Sequence, residues 1–256
     1  MAGPGISVFE PELHALAARQ WQDYRRRVPG TYFGESQALL DLDQAYAVQI
    51  EVARLRCEAG DAVAGYKVGC IGPGVVEQFG MSGPIHARLF RSELRTSGET
   101  LAHSAYANLA IEGEMAVRIA ANGTIASAFP VIELHHFVFR GSPRTLAELV
   151  ANNGINAGAV LAHDHVVTPL GDWETAHTLT VTVNGKTMDS GALWATAGGA
   201  VEAVDWLSTD LRRHGLSLSP GDLVLTGTPL GLHPVSPGDS VIISVDGRDL
   251  VTCLIA

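Results

Sequence analysis

Two apolar runs, Ile111 to Ile119 and Ile125 to Leu134, stand on either side of Ala121-Asn122-Gly123. Both are strand-length, and the Asn-Gly between them tolerates the positive φ that a tight reversal needs. No other feature constrains the chain as much, because it commits the centre of the sequence to an antiparallel hairpin. Val183-Asn184-Gly185 and Asp246-Gly247 repeat the signal. Further short apolar runs lie at Ala64 to Val68, Thr178 to Val183, Leu223 to Thr226 and Ser240 to Val245.

Helical spacing frames these strands. From Pro11 to about Arg27, Leu13, Leu16, Ala17, Trp21 and Tyr24 fall on one side. A second helix is predicted after Asp41 and Asp43, which can cap it, and stops at Gly60. Helical patterns return at Thr145 to Ala151 and from about Gly199 to His214. The expected class is α+β with mostly antiparallel strands, with a helical segment over 1–60 and a β-rich part over 61–256 in one structural unit. No internal repeat is present.

The 256 residues are 46% hydrophobic, enough for a full core. Acidic residues number 27 against 17 basic, a formal net charge of -10, which makes nucleic acid and anionic membrane poor partners. Cys57, Cys70 and Cys253 are widely spaced and read as reduced thiols. No apolar leader segment follows Met1, and no run is long enough to span a membrane, so a cytoplasmic protein is expected.

The chemistry concentrates in Ile111-Glu112-Gly113-Glu114-Met115-Ala116-Val117. Residues two apart on a strand share a face, so Glu112 and Glu114 project together from an apolar run. Glu133 lies in a similar run, Pro130 to Leu134, followed by His135 and His136. Like charges in apolar surroundings are costly unless a hard cation joins them, and three carboxylates suit Mg²⁺ or Mn²⁺. On local pattern alone the alternative is a solvent-facing hairpin whose two glutamates are simply wet.

Four motifs occur in one order: Gly65-Tyr66-Lys67-Val68-Gly69, Ile111 to Ala116, Val131-Ile132-Glu133-Leu134, and Gly221-Asp222-Leu223-Val224-Leu225-Thr226-Gly227-Thr228-Pro229. In this order they resemble the fumarylacetoacetate hydrolase superfamily. Ala45 to Gln49, Val150 to Gly154 and Gly198 to Leu207 are similar to its 2-oxopent-4-enoate hydratase and 4-oxalocrotonate decarboxylase branch, and the likeness spans about residues 41 to 250. The resemblance implies a rolled, mostly antiparallel β-sheet core with flanking helices and a homo-oligomer. It also implies metal ligation by Glu112, Glu114 and Glu133, a catalytic Lys67, and carboxylate binding by Thr226, Gly227 and Thr228. The implied activity is that of a metal-dependent lyase on a small 2-oxo or 2-hydroxydienoic acid, a hydratase working through a metal-stabilised enolate. Alternatives are a decarboxylase, an acylpyruvate C-C hydrolase, or an inactive homologue that binds 2-oxo acids.

The chain departs from the hydratase pattern at Pro84-Ile85-His86-Ala87-Arg88-Leu89-Phe90, where Pro-Asp-Phe-Gly would be expected, so an acidic residue is missing. His86 is the expected catalytic replacement, with Tyr66 and Arg88 at the substrate. Thr228-Pro229-Leu230-Gly231 is closer to the hydrolase branch. Burial and a neighbouring dication are expected to depress the Lys67 pKa, against the plain alternative of a lysine reaching solvent. Thr226 to Thr228 also reads locally as an ordinary turn. His163-Asp164-His165 reads as a surface loop rather than a ligand pair, and one of His135 and His136 is expected to turn toward the metal.

Overall fold

The computed structural model describes residues 10–28, 40–71, 84–136 and 145–256; residues 1–5 at the chain start lie outside them. Two helices come first, α1 (Glu10–Arg26) and α2 (Leu42–Glu58). Asp41 caps α2 by accepting from the Gln44 N–H, and the Gln44 side chain accepts from the Asp41 N–H, so two otherwise unpaired donors are satisfied. Asp41 rather than Asp43 is therefore the cap. Ala17, Ala45, Tyr46 and Val48 from these helices pack with Leu149 and Val150 of α3 (Leu146–Ala151) in a small apolar cluster. The fourth helix, α4 (Gly199–Arg213), lies later in the chain and buries Val204, Leu207 and Leu211.

Thirteen strands follow the first two helices among the described residues. They are β1 (Val63–Gly69), β2 (Ile85–Phe90), β3 (Leu94–Thr96), β4 (Thr100–Leu101), β5 (Ala110–Ile119), β6 (Ile125–His135), β7 (Asn156–Leu161), β8 (Thr178–Val183), β9 (Lys186–Ala192), β10 (Leu223–Leu225), β11 (His233–Pro234), β12 (Ser240–Val245) and β13 (Arg248–Ile255). One sheet runs β2-β1-β10-β5-β6-β7-β3, with β11 beside β5; the other runs β4-β13-β12-β8-β9. Pairing is antiparallel except at β1/β10, β3/β7 and β4/β13. The class is α+β and mostly antiparallel, as expected. The runs read from the sequence correspond to β1, β5, β6, β8, β10 and β12; β2, β3, β4, β7, β9, β11 and β13 lie outside them, being short, polar or rich in Gly and Ala in most cases.

The three turn signals resolve differently. Asn184-Gly185 and Asp246-Gly247 form two-residue reversals with positive φ at both positions. Between β5 and β6 only Gly123 has positive φ, the loop runs from Ala120 to Thr124, and the register shifts beside it. That longer turn sets Glu112 directly across from Glu133.

Space between the sheets is tight at Gly113. A Cβ there would come within 2.6 Å of Val181 Cγ2 and 2.9 Å of Ile243 Cδ1. The second sheet closes on this face of β5 and β6, leaving the opposite face, with its carboxylates, to point away from that core.

Candidate active site

Register and the two-residue period build the site. Glu112 pairs with Glu133, Glu114 lies two residues further along β5, and His135 lies two residues beyond Glu133 on β6, so all four share one sheet face. Glu114, Glu133 and His135 are buried, while Glu112 keeps some exposure. His135 Nε2 is 3.1 Å from Glu112 Oε2 and 3.8 Å from Glu133 Oε2. Glu112, Glu133 and His135 each offer a donor atom within 4.8 Å of the others. The wet-hairpin alternative is thus not the arrangement found.

Lys67 reaches the same place from β1. Its Nζ is 2.8 Å from Glu133 Oε1, which also accepts from Asn156 Nδ2 at 2.7 Å. One oxygen of Glu133 is thereby occupied, and the other faces His135. Burial works to lower the Lys67 pKa, but Glu133 and Glu112 outweigh it, so the ammonium is held charged. Opposite charges close by set this direction in the metal-free chain, whereas the depression expected from the sequence includes the charge of a neighbouring dication.

Burial, reinforced by Glu133 and Glu112, pushes the Glu114 carboxyl well above the usual range. For Glu133, burial also works upward, but Lys67 and His135 overcome it and hold the carboxyl low. Within this close pair, Glu114 keeps the proton and Glu133 the charge.

The turn after β10 touches this group. The Gly227 N–H donates to Glu114 Oε1. Gly227 has φ 85°, and a Cβ there would fall 2.0 Å from Ile71 Cδ1, so the position needs glycine on both counts. Thr226 donates its hydroxyl to the Met115 carbonyl at 2.9 Å and is buried. That hydroxyl is therefore spent on holding the turn. Thr228 is more open, with its Oγ1 accepting from the Leu230 N–H at 3.1 Å.

Three sequence candidates fall elsewhere. Tyr66 pairs with Arg88 and Val68 with His86, whereas Lys67 pairs with Ala87. By the alternation of strands, Tyr66, His86 and Arg88 project from the opposite face to Lys67. Arg88 donates to Gln49 Oε1 at 2.7 Å, and His86 Nδ1 lies 2.8 Å from Asp210 Oδ2. The geometry does not bring them to the carboxylates. Ile85 is on the Lys67 face: a Cβ on Gly69 would lie 3.4 Å from Lys67 Nζ and 3.8 Å from Ile85 Cγ1. An aliphatic side chain occupies the position where an acid was expected.

Of His135 and His136 it is His135 that turns to the carboxylates, and Asn156 is a further member that the sequence does not mark. His135 was legible, since it follows Glu133 by two; Asn156 joins only through tertiary packing. His136 turns away, accepting at Nδ1 from the Ala107 N–H and donating from Nε2 to the Tyr24 carbonyl, with burial lowering its pKa. His163 and His165 are exposed, His163 just before and His165 within a short turn of helix over Asp164–Val166.

Residues 89–254 match the model for the fumarylacetoacetate (FAA) hydrolase C-terminal family. The chain is 28% identical over 231 residues to the TodF product hydratase of Pseudomonas putida, covering 84% of this chain and 85% of that protein. It is 29% identical over 220 residues to the 2-keto-4-pentenoate hydratase of Burkholderia vietnamiensis, covering 81% and 83%. Among solved structures, 4-oxalocrotonate decarboxylase from Pseudomonas putida G7, complexed with magnesium and adipate, superposes with a TM-score of 0.86 at 20% identity, covering 96% of this chain and 98% of that one. Fumarylpyruvate hydrolase from Pseudomonas aeruginosa, with Mn²⁺ and pyruvate, gives 0.56 at 17% identity, covering 75% and 88%.

Proposed function

We propose, from the premise that this chain belongs to the fumarylacetoacetate hydrolase family, that it is a divalent-metal-dependent lyase acting on a small 2-oxo or 2-hydroxydienoic acid, a hydratase of the 2-oxopent-4-enoate type. The observation that carries this is the grouping of Glu112, Glu133 and His135 within reach of one ion, with buried Glu114 on the same sheet face and Lys67 beside Glu133. The relatives named as hydratases support the reaction class.

The donor set fits a hard cation. Burial and mutual repulsion of carboxylates on one face both raise the Glu114 carboxyl, a cost that a bound cation relieves. Glu112, Glu114 and Glu133 would hold Mg²⁺ or Mn²⁺, with His135 as an adjoining donor. When bound, such a cation supplies Lewis acidity at the 2-oxygen of a 2-oxo acid. Lys67 holds a proton at Nζ and is our choice for moving it to or from a substrate carbon. Glu133 orients Lys67, and Asn156 orients Glu133. The Thr228 hydroxyl and the backbone of the Gly227 turn are our choice for the substrate carboxylate.

Ile85 favours one second reading, a carboxy-lyase of the 4-oxalocrotonate decarboxylase kind. An aliphatic wall beside Lys67 assists a step in which a carboxylate leaves as neutral carbon dioxide. The chain with Mg²⁺, incubated with 2-hydroxypenta-2,4-dienoate and with 2-oxo diacids, separates the readings by mass spectrometry. Gain of water marks the hydratase and loss of carbon dioxide the decarboxylase; no conversion of either, with oxalate still binding, would overturn both. Lys67→Met is expected to keep Mg²⁺ binding and lose turnover, and an unchanged kcat would remove Lys67 from its role. We further propose a homo-oligomeric, cytoplasmic enzyme; sedimentation velocity tests the first point.

A further inference from the structure

Across the sheet from Lys67, His86 of β2 meets the end of α4. Its ring is fully buried, Nδ1 lies 2.8 Å from Asp210 Oδ2, and Nε2 is enclosed without a hydrogen-bond partner. Asp210 and His214 are four residues apart at the end of α4, the spacing that sets two side chains on one helix face. Each of His86, Asp210 and His214 offers a donor atom within 4.8 Å of the other two. The Tyr46 ring stacks on His86 at 4.5 Å and lies 4.2 Å from the His214 ring, and its hydroxyl accepts from the His86 N–H at 3.2 Å, so the two imidazoles share one support.

An ordinary strand-to-helix hydrogen bond would use one nitrogen of His86 and one oxygen of Asp210. It does not account for the second imidazole, His214, held beside the same carboxylate and against the same tyrosine ring. We infer that His86, Asp210 and His214 form a second metal site, distinct from the carboxylate cluster and selective for a borderline transition ion such as Zn²⁺ or Co²⁺.

Two imidazoles and one carboxylate are the donors such ions take, and they are poor ligands for Mg²⁺. Bonds of about 2.0–2.1 Å bring tetrahedral donors to roughly 3.3 Å apart. The His86 and Asp210 atoms, 2.8 Å apart, would open slightly to reach that spacing, and His214, within 4.8 Å of both, would turn its ring to complete it. That residue is only partly buried and closes the helix, where a ring can turn without moving the backbone. Arg213 approaches the other oxygen of Asp210 at 3.4 Å from the solvent side. The site would tie the edge strand next to β1 to α4.

The test uses the full chain, stripped of metal and then saturated with Mg²⁺ so that the hard site is filled, with thiols blocked by iodoacetamide. Added Co²⁺ is expected to bind at one equivalent with visible d–d absorption. His214→Ala should weaken that binding at least tenfold with an unchanged circular dichroism spectrum. Asp210→Asn should do the same, while Glu114→Gln and the double variant His163→Ala/His165→Ala should leave it intact. Absence of Co²⁺ bands in the Mg²⁺-saturated protein would overturn the inference. So would bands that survive His214→Ala, or bands lost only in Glu114→Gln or in the double histidine variant.

Discussion

The hairpins β5/β6 and β8/β9 carry the same Asn-Gly signature and opposite fates. On β9, Lys186 and Thr187 are exposed, Met188 is 40% exposed, and the strand is a sheet edge wetted on one side. On β5 and β6, Glu114 and Glu133 are 1% exposed in the middle of a sheet. A charged residue on β8/β9 is solvated; on β5/β6 it lies in a low-dielectric setting where it must find a partner. The difference is not in the turn or the alternation but in what covers each face.

If that contrast is right, Glu133→Ala has the largest consequence. Mg²⁺ affinity by calorimetry should fall by more than the ~10- to 100-fold typical of losing an outer-shell partner, because a proposed ligand is removed and the Lys67 charge is left buried without its mate. Retained stoichiometric Mg²⁺ would break the assignment. Glu114→Ala is expected to act likewise.

Next in size is packing. Gly113→Ala pushes a methyl into Val181 and Ile243 and should cost about 1–3 kcal/mol in urea melts. Gly185→Ala, whose Cβ meets nothing within 4 Å, should cost about 1 kcal/mol through its φ of 74° alone. Equal losses would mean that the second sheet does not press on β5 as described.

A third test uses pH. Burial and Glu133 raise the Glu114 carboxyl well above its usual range in the metal-free chain, so a cation competes with a proton there. Mg²⁺ affinity should therefore rise as pH increases, and binding enthalpy should depend on the ionisation enthalpy of the buffer. A buffer-independent enthalpy would contradict a protonated Glu114. The smallest effect is expected from Lys186→Ala on the wetted hairpin, within about 0.5 kcal/mol of the parent.

Much of the site was legible because strands have a two-residue period. Glu112 and Glu114 had to share a face, and the ordered motifs pointed to Glu133 and Lys67 as their companions. The same period, applied to Tyr66-Lys67 and Ile85-His86, excludes Tyr66 and His86 from the Lys67 face once the register of β1 and β2 is known. Sequence proximity to a motif had drawn them in, and neighbouring residues on a strand point in opposite directions.

Local periodicity and residues that tolerate unusual φ suffice for the α+β class, the hairpins, a helix cap at Asp41 or Asp43 and the carboxylates that share β5. Tertiary contacts are needed to show which oxygen of Glu133 meets Lys67, that Asn156 joins the cluster, and that His86 belongs with Asp210 and His214. Those contacts join residues from 23 to 124 positions apart, and strand pairing and packing fix such distances where spacing along the chain cannot.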